Sequence, residues 1–167
     1  MNTAVLQTAR LSLRPWRESE GVIQHRLWQE RDPRVPPHRR ISPDGRPTVA
    51  ELEERIRTGA QPGLLAIELL SSGEVIGYCG LIPRELPDEP ELAYELLREH
   101  WGHGYATEAG RAVVEGARSS GHTRLWAGVR EWNVASRQVL AKLGFVETGQ
   151  VDPDAAYGDS LLTMREL

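Results

Sequence analysis

The stretch REHWGHGYATEA, Arg98 to Ala109, constrains the fold of this chain more than any other. It places two glycines one residue apart, between a strand-like run, ELAYELL, and a helix-like run in which Ala106, Ala109, Gly110, Val113, Val114 and Ala117 recur at helical spacing. Glycine at such a junction either turns the chain or lets another molecule approach the main chain closely. A strand, then Gly102-His103-Gly104, then a helix presents free backbone N–H groups and a helix N-terminus to an anion. The small-residue stripe lets that helix lie close against a sheet.

The rest of the chain supplies the sheet. Alternation in RLSLRP puts Leu11 and Leu13 on one face of an opening strand, followed by a helix over about Ser19 to Glu30. Arg31 to Pro47 carries five prolines together with Arg31, Arg34, Arg39, Arg40 and Arg46, which predicts an irregular basic loop, either a solvated connector or a wall of a substrate site. TVAELEERIRTG reads as a capped helix, with Thr48 as N-cap, Glu51 three residues on and Gly59 as terminator. LLAIELL and EVIGYCGLI flank Ser71, Ser72 and Gly73 as a hairpin, and ELAYEL, from Glu91, is the next strand. RLWAGV is a further short strand, Asn133 opens and Gly144 closes a last helix, and SLLTMREL ends the chain as a strand. With no internal repeat and no linker, the expectation is one α/β (α+β) domain over residues 1–167, a mixed, mostly antiparallel sheet flanked by helices.

Bulk properties narrow the function. At 167 residues the chain is long enough for one self-sufficient core. A net charge of -4 argues against a general nucleic-acid binder, which needs a basic excess to neutralise phosphates. The opening residues lack the basic head and apolar run of a signal peptide, and no run approaches the ~20 apolar residues of a membrane span, so a cytoplasmic protein with no membrane partner is expected. Cys79, the single cysteine, sits in an apolar run and reads as a packing residue.

Two familiar phosphate loops do not fit the glycines. A P-loop requires Lys and Ser or Thr directly after the last glycine, where Tyr105 and Ala106 stand, and a dinucleotide fingerprint requires a third small residue where Thr107 stands. WGHGYATEA followed downstream by EWNVASRQVLAKLGF instead resembles the Gcn5-related N-acetyltransferase (GNAT) superfamily, and more narrowly its RimJ/RimL-type ribosomal-protein alanine N-acetyltransferases. TARLSLRPW, GEVIGYCGL and ELAYEL extend the resemblance over nearly the whole chain. The superfamily pattern of Gln or Arg, two residues, Gly, one residue, then Gly or Ala falls on Trp101, Gly102, His103, Gly104, Tyr105 and Ala106, with Trp101 departing from the first position. The resemblance implies a sheet splayed between its fourth strand, ELAYEL, and its fifth, RLWAGV. It also implies that the N–H groups from His103 to Ala106, and Thr107 beside them, hold the pyrophosphate of acetyl-coenzyme A (acetyl-CoA), with no metal.

In such enzymes an amine attacks the thioester directly, so three tasks remain: deprotonating an amine of pKa about 8 to 10, stabilising an oxyanion and protonating the departing thiolate. Glu91 and Glu95, four residues apart, lie on one face of a regular strand, and either is a candidate base, acting directly or through water, or else a solvated or Arg-paired carboxylate. The resemblance puts the oxyanion at backbone N–H groups near Leu96 and Leu97. Asn133, Ser136, Leu140 and Leu143 follow helical spacing, so the Ser136 hydroxyl shares a stripe with core leucines and needs a partner. That partner is either the carbonyl one turn back, with Asn133 as a simple cap, or, by the resemblance, the departing thiolate, to which Ser136 donates a proton while Asn133 contacts the pantetheine arm. His100 and His103, with no carboxylate pair or cysteine beside them in the sequence, make a poor metal site.

The expected activity is acetyl transfer from acetyl-CoA to a protein N-terminal or small-molecule amine. An antibiotic, a polyamine or an amino-acid-derived amine is the rival acceptor, and a non-catalytic acyl-CoA-binding regulatory module is the rival of another class. The basic loop gives a weak hint of an acidic acceptor. A homodimer is compatible with these motifs, which do not decide it.

Overall fold

The computed structural model describes residues 5–167; residues 1–4, part of the stretch read against a leader peptide, lie outside them. Eight strands form one sheet in the order β1-β2-β3-β4-β5-β6-β8-β7. They are β1 (Leu6–Gln7), β2 (Leu11–Arg14), β3 (Leu64–Leu69), β4 (Val75–Ile82), β5 (Glu91–Leu96), β6 (Arg124–Arg130), β7 (Val146–Asp152) and β8 (Ser160–Glu166). Every neighbouring pair is antiparallel except β5 and β6, which are parallel. The helices are α1 (Gly21–Glu30), α2 (Val49–Thr58), α3 (Tyr105–Ser119) and α4 (Val134–Lys142). This is the mixed, mostly antiparallel α/β architecture read from the sequence.

Local chemistry explains most boundaries. Thr48 Oγ1 accepts the Glu51 N–H while Glu51 Oε2 accepts the Thr48 N–H at 2.8 Å, a reciprocal cap that starts α2, and Gly59 in the left-handed region ends it. Asn133 Oδ1 accepts the Ser136 N–H at 3.1 Å and starts α4. Alternation in β2 predicts a strand buried on one face only, yet Ser12 and Arg14 are buried along with Leu11 and Leu13. The difference lies in Arg14, whose guanidinium is held by Glu20, just before α1, and by Glu68 of β3, so an ion triad seals the second face.

One element escaped the sequence reading. Residues 146–152 form β7, an edge strand exposed along its whole length and paired only with β8, with a register shift between Glu147 and Val151. A strand buried on neither face shows no alternation of apolar residues, so period gives no signal for it. The two-residue β1 is likewise too short to read.

The main core lies between the sheet and α3. Ala109, Val113, Val114 and Ala117 of α3 pack with Leu11, Leu13, Ile67, Ile76 and Leu125 of the sheet, and Leu140 and Leu143 bring α4 into the same cluster. Cys79 is fully buried there, and burial pushes its thiol up to about 12, so it is a packing residue. α3 and α4 meet at Gly110, where an added Cβ would stand 2.5 Å from Leu143 Cδ1. Leu143 has no exposed side to move toward. Gly110→Ala is therefore expected to cost about 1–3 kcal/mol through overpacking, read as a lowered midpoint in urea unfolding, despite alanine's better helix propensity. An unchanged or raised midpoint would show that the helices part freely.

Candidate active site

β5 and β6 share one register pair, Glu91 with Trp126, supported by the Trp126 N–H donating to the Pro90 carbonyl at 3.0 Å. Beyond that point the two strands diverge, which is the splay expected between ELAYEL and RLWAGV. β5 remains zipped to β4 on its other side, from Glu91 opposite Ile82 to Leu96 opposite Gly77. Its amides alternate sides. The Leu97 N–H donates to the Ile76 carbonyl at 2.9 Å, so the Leu96 N–H and C=O point the other way, into the gap. Trp101 Nε1, donating to the Leu96 carbonyl at 2.9 Å, approaches from that side. The expected pair of oxyanion donors is thus halved. Leu97 spends its N–H on the sheet, and Leu96 alone aims one at the gap.

The glycine loop closes one end of the gap. Gly102 and Gly104 both adopt φ of +78°, which L side chains rarely tolerate, and Gly104 is the N-cap of α3 with no side chain capping it. A Cβ on Gly102 would meet nothing within 4 Å, and one on Gly104 would meet only Arg10 Nη2 at 3.5 Å. These glycines are therefore not making room for the protein itself. The first helical bond is the Glu108 N–H to the Gly104 carbonyl, which leaves the Tyr105, Ala106 and Thr107 N–H groups as helix-end donors. Thr107 is buried, and Ala106 packs at the core edge. His103 stacks on Tyr105 with ring centroids 5.5 Å apart, and the Trp101 indole is 56% exposed beside the loop.

A clamp that no local motif announces holds this loop. Glu108, in the first turn of α3, accepts bonds from Thr8 Oγ1 at 2.6 Å, the Arg10 N–H at 2.9 Å and Arg10 Nε at 2.7 Å. Arg10 Nη1 then donates to the His103 carbonyl at 3.0 Å, and its guanidinium lies 4.5 Å from the Tyr105 ring centre. Burial disfavours the Glu108 carboxylate, but the Thr8 and Arg10 bonds outweigh it and hold its pKa below the ordinary range. Glu108 is visible in the motif; its partners come from the opening strand region, about a hundred residues away.

The two candidate carboxylates share a face of β5, as their spacing predicts, but differ in what they touch. Glu95 is held by Arg31 through two bonds of 2.9 Å and by the Tyr78 hydroxyl at 2.9 Å. The Arg31 and Glu95 side chains retain only 12% and 19% exposure. Burial disfavours the Arg31 cation, yet the bonds to Glu95 leave its pKa raised; burial and the Glu95 charge likewise push Tyr78 up. Glu91 accepts a single long bond, 3.3 Å from the Gly128 N–H across in β6. It opens onto a cleft of about 620 Å³ shared with Arg84, Glu85, Glu89, Trp126 and Asp152. A larger groove of about 710 Å³ lies along α3, the end of α4 and β8, away from these carboxylates.

Tyr94, Leu92 and Leu96 project to the opposite face, toward α3 and α4. The Tyr94 hydroxyl lies 2.9 Å from Ser136 Oγ and 3.0 Å from the Ser136 carbonyl. Ser136 thus finds its partner across the gap, and Asn133 Oδ1 is spent on the helix cap.

The loop 31–47 spans the splay. Arg31 anchors it to Glu95 on β5 and lies over Trp28, while Arg34 lies 4.2 Å over Trp132 between β6 and α4. Trp132 Nε1 in turn donates to the Tyr157 carbonyl at 2.8 Å. The segment thus bridges the two sides of the splay, which fits the wall reading rather than that of a free connector. Three of its five arginines, Arg31, Arg34 and Arg46, are paired with Glu95, Asp32 and Glu51, while Arg39 and Arg40 have no ion pair among the described residues, so only part of the loop's charge is neutralised. His100 does gain a carboxylate pair: its sequence neighbour Glu99 lies 3.7 Å away, and the fold brings Glu74 within 3.1 Å.

A family model described as Acetyltransferase (GNAT) domain matches residues 10–146. An N-acetyltransferase p20 of Bacillus licheniformis is 30% identical over 152 residues, 86% of this chain and 83% of that protein. Two other curated relatives are matched in part, the chain spanning 55% and 48% of their lengths. Among solved structures, a GNAT-family acetyltransferase from Bacillus anthracis shares the fold at a TM-score of 0.81 and 17% identity, covering 98% of both chains. RimL, a ribosomal L7/L12 alpha-N-protein acetyltransferase in complex with coenzyme A, does so at 0.76 and 17%, again covering 98% of both.

If the Arg31–Glu95 pair holds the wall, Arg31→Met should cost about 2–4 kcal/mol, somewhat less than breaking a fully buried pair. Trypsin should then cut faster after Arg34, Arg39 and Arg40. Unchanged cleavage would show that Trp132 suffices to hold the loop.

Proposed function

The chain belongs to the GNAT acetyltransferase family, and on that premise we propose that it transfers the acetyl group of acetyl-CoA to a primary amine by direct attack on the thioester. The divergence of β5 from β6 carries this reading, because it opens a slot with the Leu96 N–H on one wall and the α3 N-terminus at one end. The residues present fit the co-substrate. His103 to Thr107 offer a run of main-chain donors on a left-handed glycine cradle, where a diphosphate finds helix-end N–H groups and the Arg10 cation nearby.

The roles follow from which way each group faces. Glu91, with one weak bond, takes the amine proton directly or through water; Glu95, committed to Arg31 and Tyr78, positions the wall. The Leu96 N–H meets the developing oxyanion. Ser136, on the opposite face of β5, covers the departing sulfur, so the amine and the leaving thiol occupy opposite sides of the strand. Glu85, Glu89, Glu91 and Asp152 outnumber Arg84 around the acceptor-side cleft, which suits a cationic amine, a small-molecule or N-terminal one, better than an acidic acceptor.

The test is calorimetry with acetyl-CoA, coenzyme A and ATP, followed by thiol release over a panel of N-terminal peptides and small amines. Micromolar binding of both coenzyme forms with release on one acceptor class is expected; binding without release from any acceptor would favour a regulatory acyl-CoA module, and no binding would refute the loop assignment. Glu91→Gln should lower turnover about 10²–10⁴-fold with little change in acetyl-CoA affinity. Glu95→Gln should act chiefly on thermal stability. The reverse pattern would exchange their roles.

A further inference from the structure

Tyr94 is the one hydroxyl that crosses from β5 to α4 over the splay, and the acetyl-transfer reading above does not use it. Its oxygen touches two oxygens of a single residue, Ser136 Oγ at 2.9 Å, where either hydroxyl could donate, and the Ser136 carbonyl at 3.0 Å, which accepts. A phenol has one proton, and so two arrangements are open. When Tyr94 donates to the carbonyl, Ser136 must turn its own proton back onto the Tyr94 oxygen, and nothing faces the gap. When Tyr94 donates to Oγ, the serine proton is released and the serine oxygen is polarised by an incoming bond. The carbonyl already belongs to the α4 ladder, which makes it the less needy of the two acceptors.

Resting on the acetyl-transfer reading, the geometry points to Tyr94 as a positioning residue: its hydroxyl donates to Ser136 Oγ and so aims the only proton of Ser136 at the sulfur of the leaving coenzyme. The amine nitrogen bonds to the acetyl carbon, the C–S bond breaks with its pair on sulfur, and the Ser136 O–H hydrogen-bonds that charge. One proton leaves nitrogen through Glu91 to water, Ser136 passes its proton to sulfur and regains one from water, so amine and thioester become amide and thiol with no further reactant. Burial pushes Tyr94 up to about 12, which keeps its proton in place while the thiolate forms. Tyr94 need never touch the acetyl group, which separates it from Glu91 and Ser136.

Three variants test this: Tyr94→Phe, Ser136→Ala and the double variant, each measured for acetyl-CoA affinity by calorimetry, thermal midpoint and turnover by thiol release. Tyr94→Phe is expected to lower kcat about 10- to 100-fold, the span of one hydrogen bond to a charged group, with affinity kept within about twofold. The double variant should turn over no more slowly than Ser136→Ala alone, because Tyr94 acts only through that serine. Losses that multiply in the double variant, or an affinity that falls in step with kcat, would overturn the proposal while leaving acetyl transfer standing. A wild-type protein that binds acetyl-CoA but releases thiol with no acceptor would overturn both.

Discussion

The register between β5 and β6 consists of a single pair, Glu91 with Trp126, in the middle of an eight-stranded sheet. An interrupted ladder at that depth leaves main-chain donors and acceptors without partners, and buried groups of that kind must be satisfied. Part of the need is met internally, since Trp101 Nε1 covers the Leu96 carbonyl. The Leu96 N–H is left to the gap. A molecule that enters there meets a strand edge ready to bind it and a helix end ready for its charge, which is why the glycine loop, the carboxylates and the serine gather around this one irregularity.

With so little pairing between them, the two halves of the sheet must be joined by other means. α3 packs against β1, β2, β4 and β5, α4 packs against β6, and Gly110 lets α4 close onto α3 through Leu143, so the two helices together join the halves. Tyr94 and Ser136 tie β5 to α4 on one face, while the loop from Arg31 to Pro47 ties Glu95 to Trp132 on the other. These ties are polar and sparse compared with a strand ladder. They leave each catalytic candidate in contact with a structural partner, Glu95 with Arg31, Ser136 with Tyr94 and Glu91 with the Gly128 N–H.

Much of this was legible beforehand. Capping chemistry located α2 and α4, alternation located β2 and apolar runs located β3 and β4, and the glycine spacing with the resemblance it carries pointed to the loop at the head of α3. The failures have physical causes. β7 is exposed on both faces and so has no pattern, and Arg14 and Ser12 break the rule for β2 because an ion triad can replace apolar cover. Leu96 and Leu97 look equivalent in sequence, yet the alternation of amides along a paired strand hands one to β4 and the other to the gap. Glu91 and Glu95 look equivalent too, until Arg31 arrives from 64 positions away to occupy one of them.

What the sequence determined alone was therefore whatever depends on near neighbours: helix starts and stops, the faces of strands, the left-handed turns that only glycine takes cheaply, and the membership of Ser136 in a core-facing stripe. Tertiary structure decided everything that needed a distant partner to be known. It assigned Ser136 to Tyr94, Glu108 to Thr8 and Arg10, and three arginines of the basic loop, Arg31, Arg34 and Arg46, to carboxylates of its own chain. Local propensities act over a few residues and are written in order along the chain. A hydroxyl or a carboxylate, by contrast, acquires its chemistry from whichever group lies within about 3 Å, and that depends on how the whole sheet is threaded.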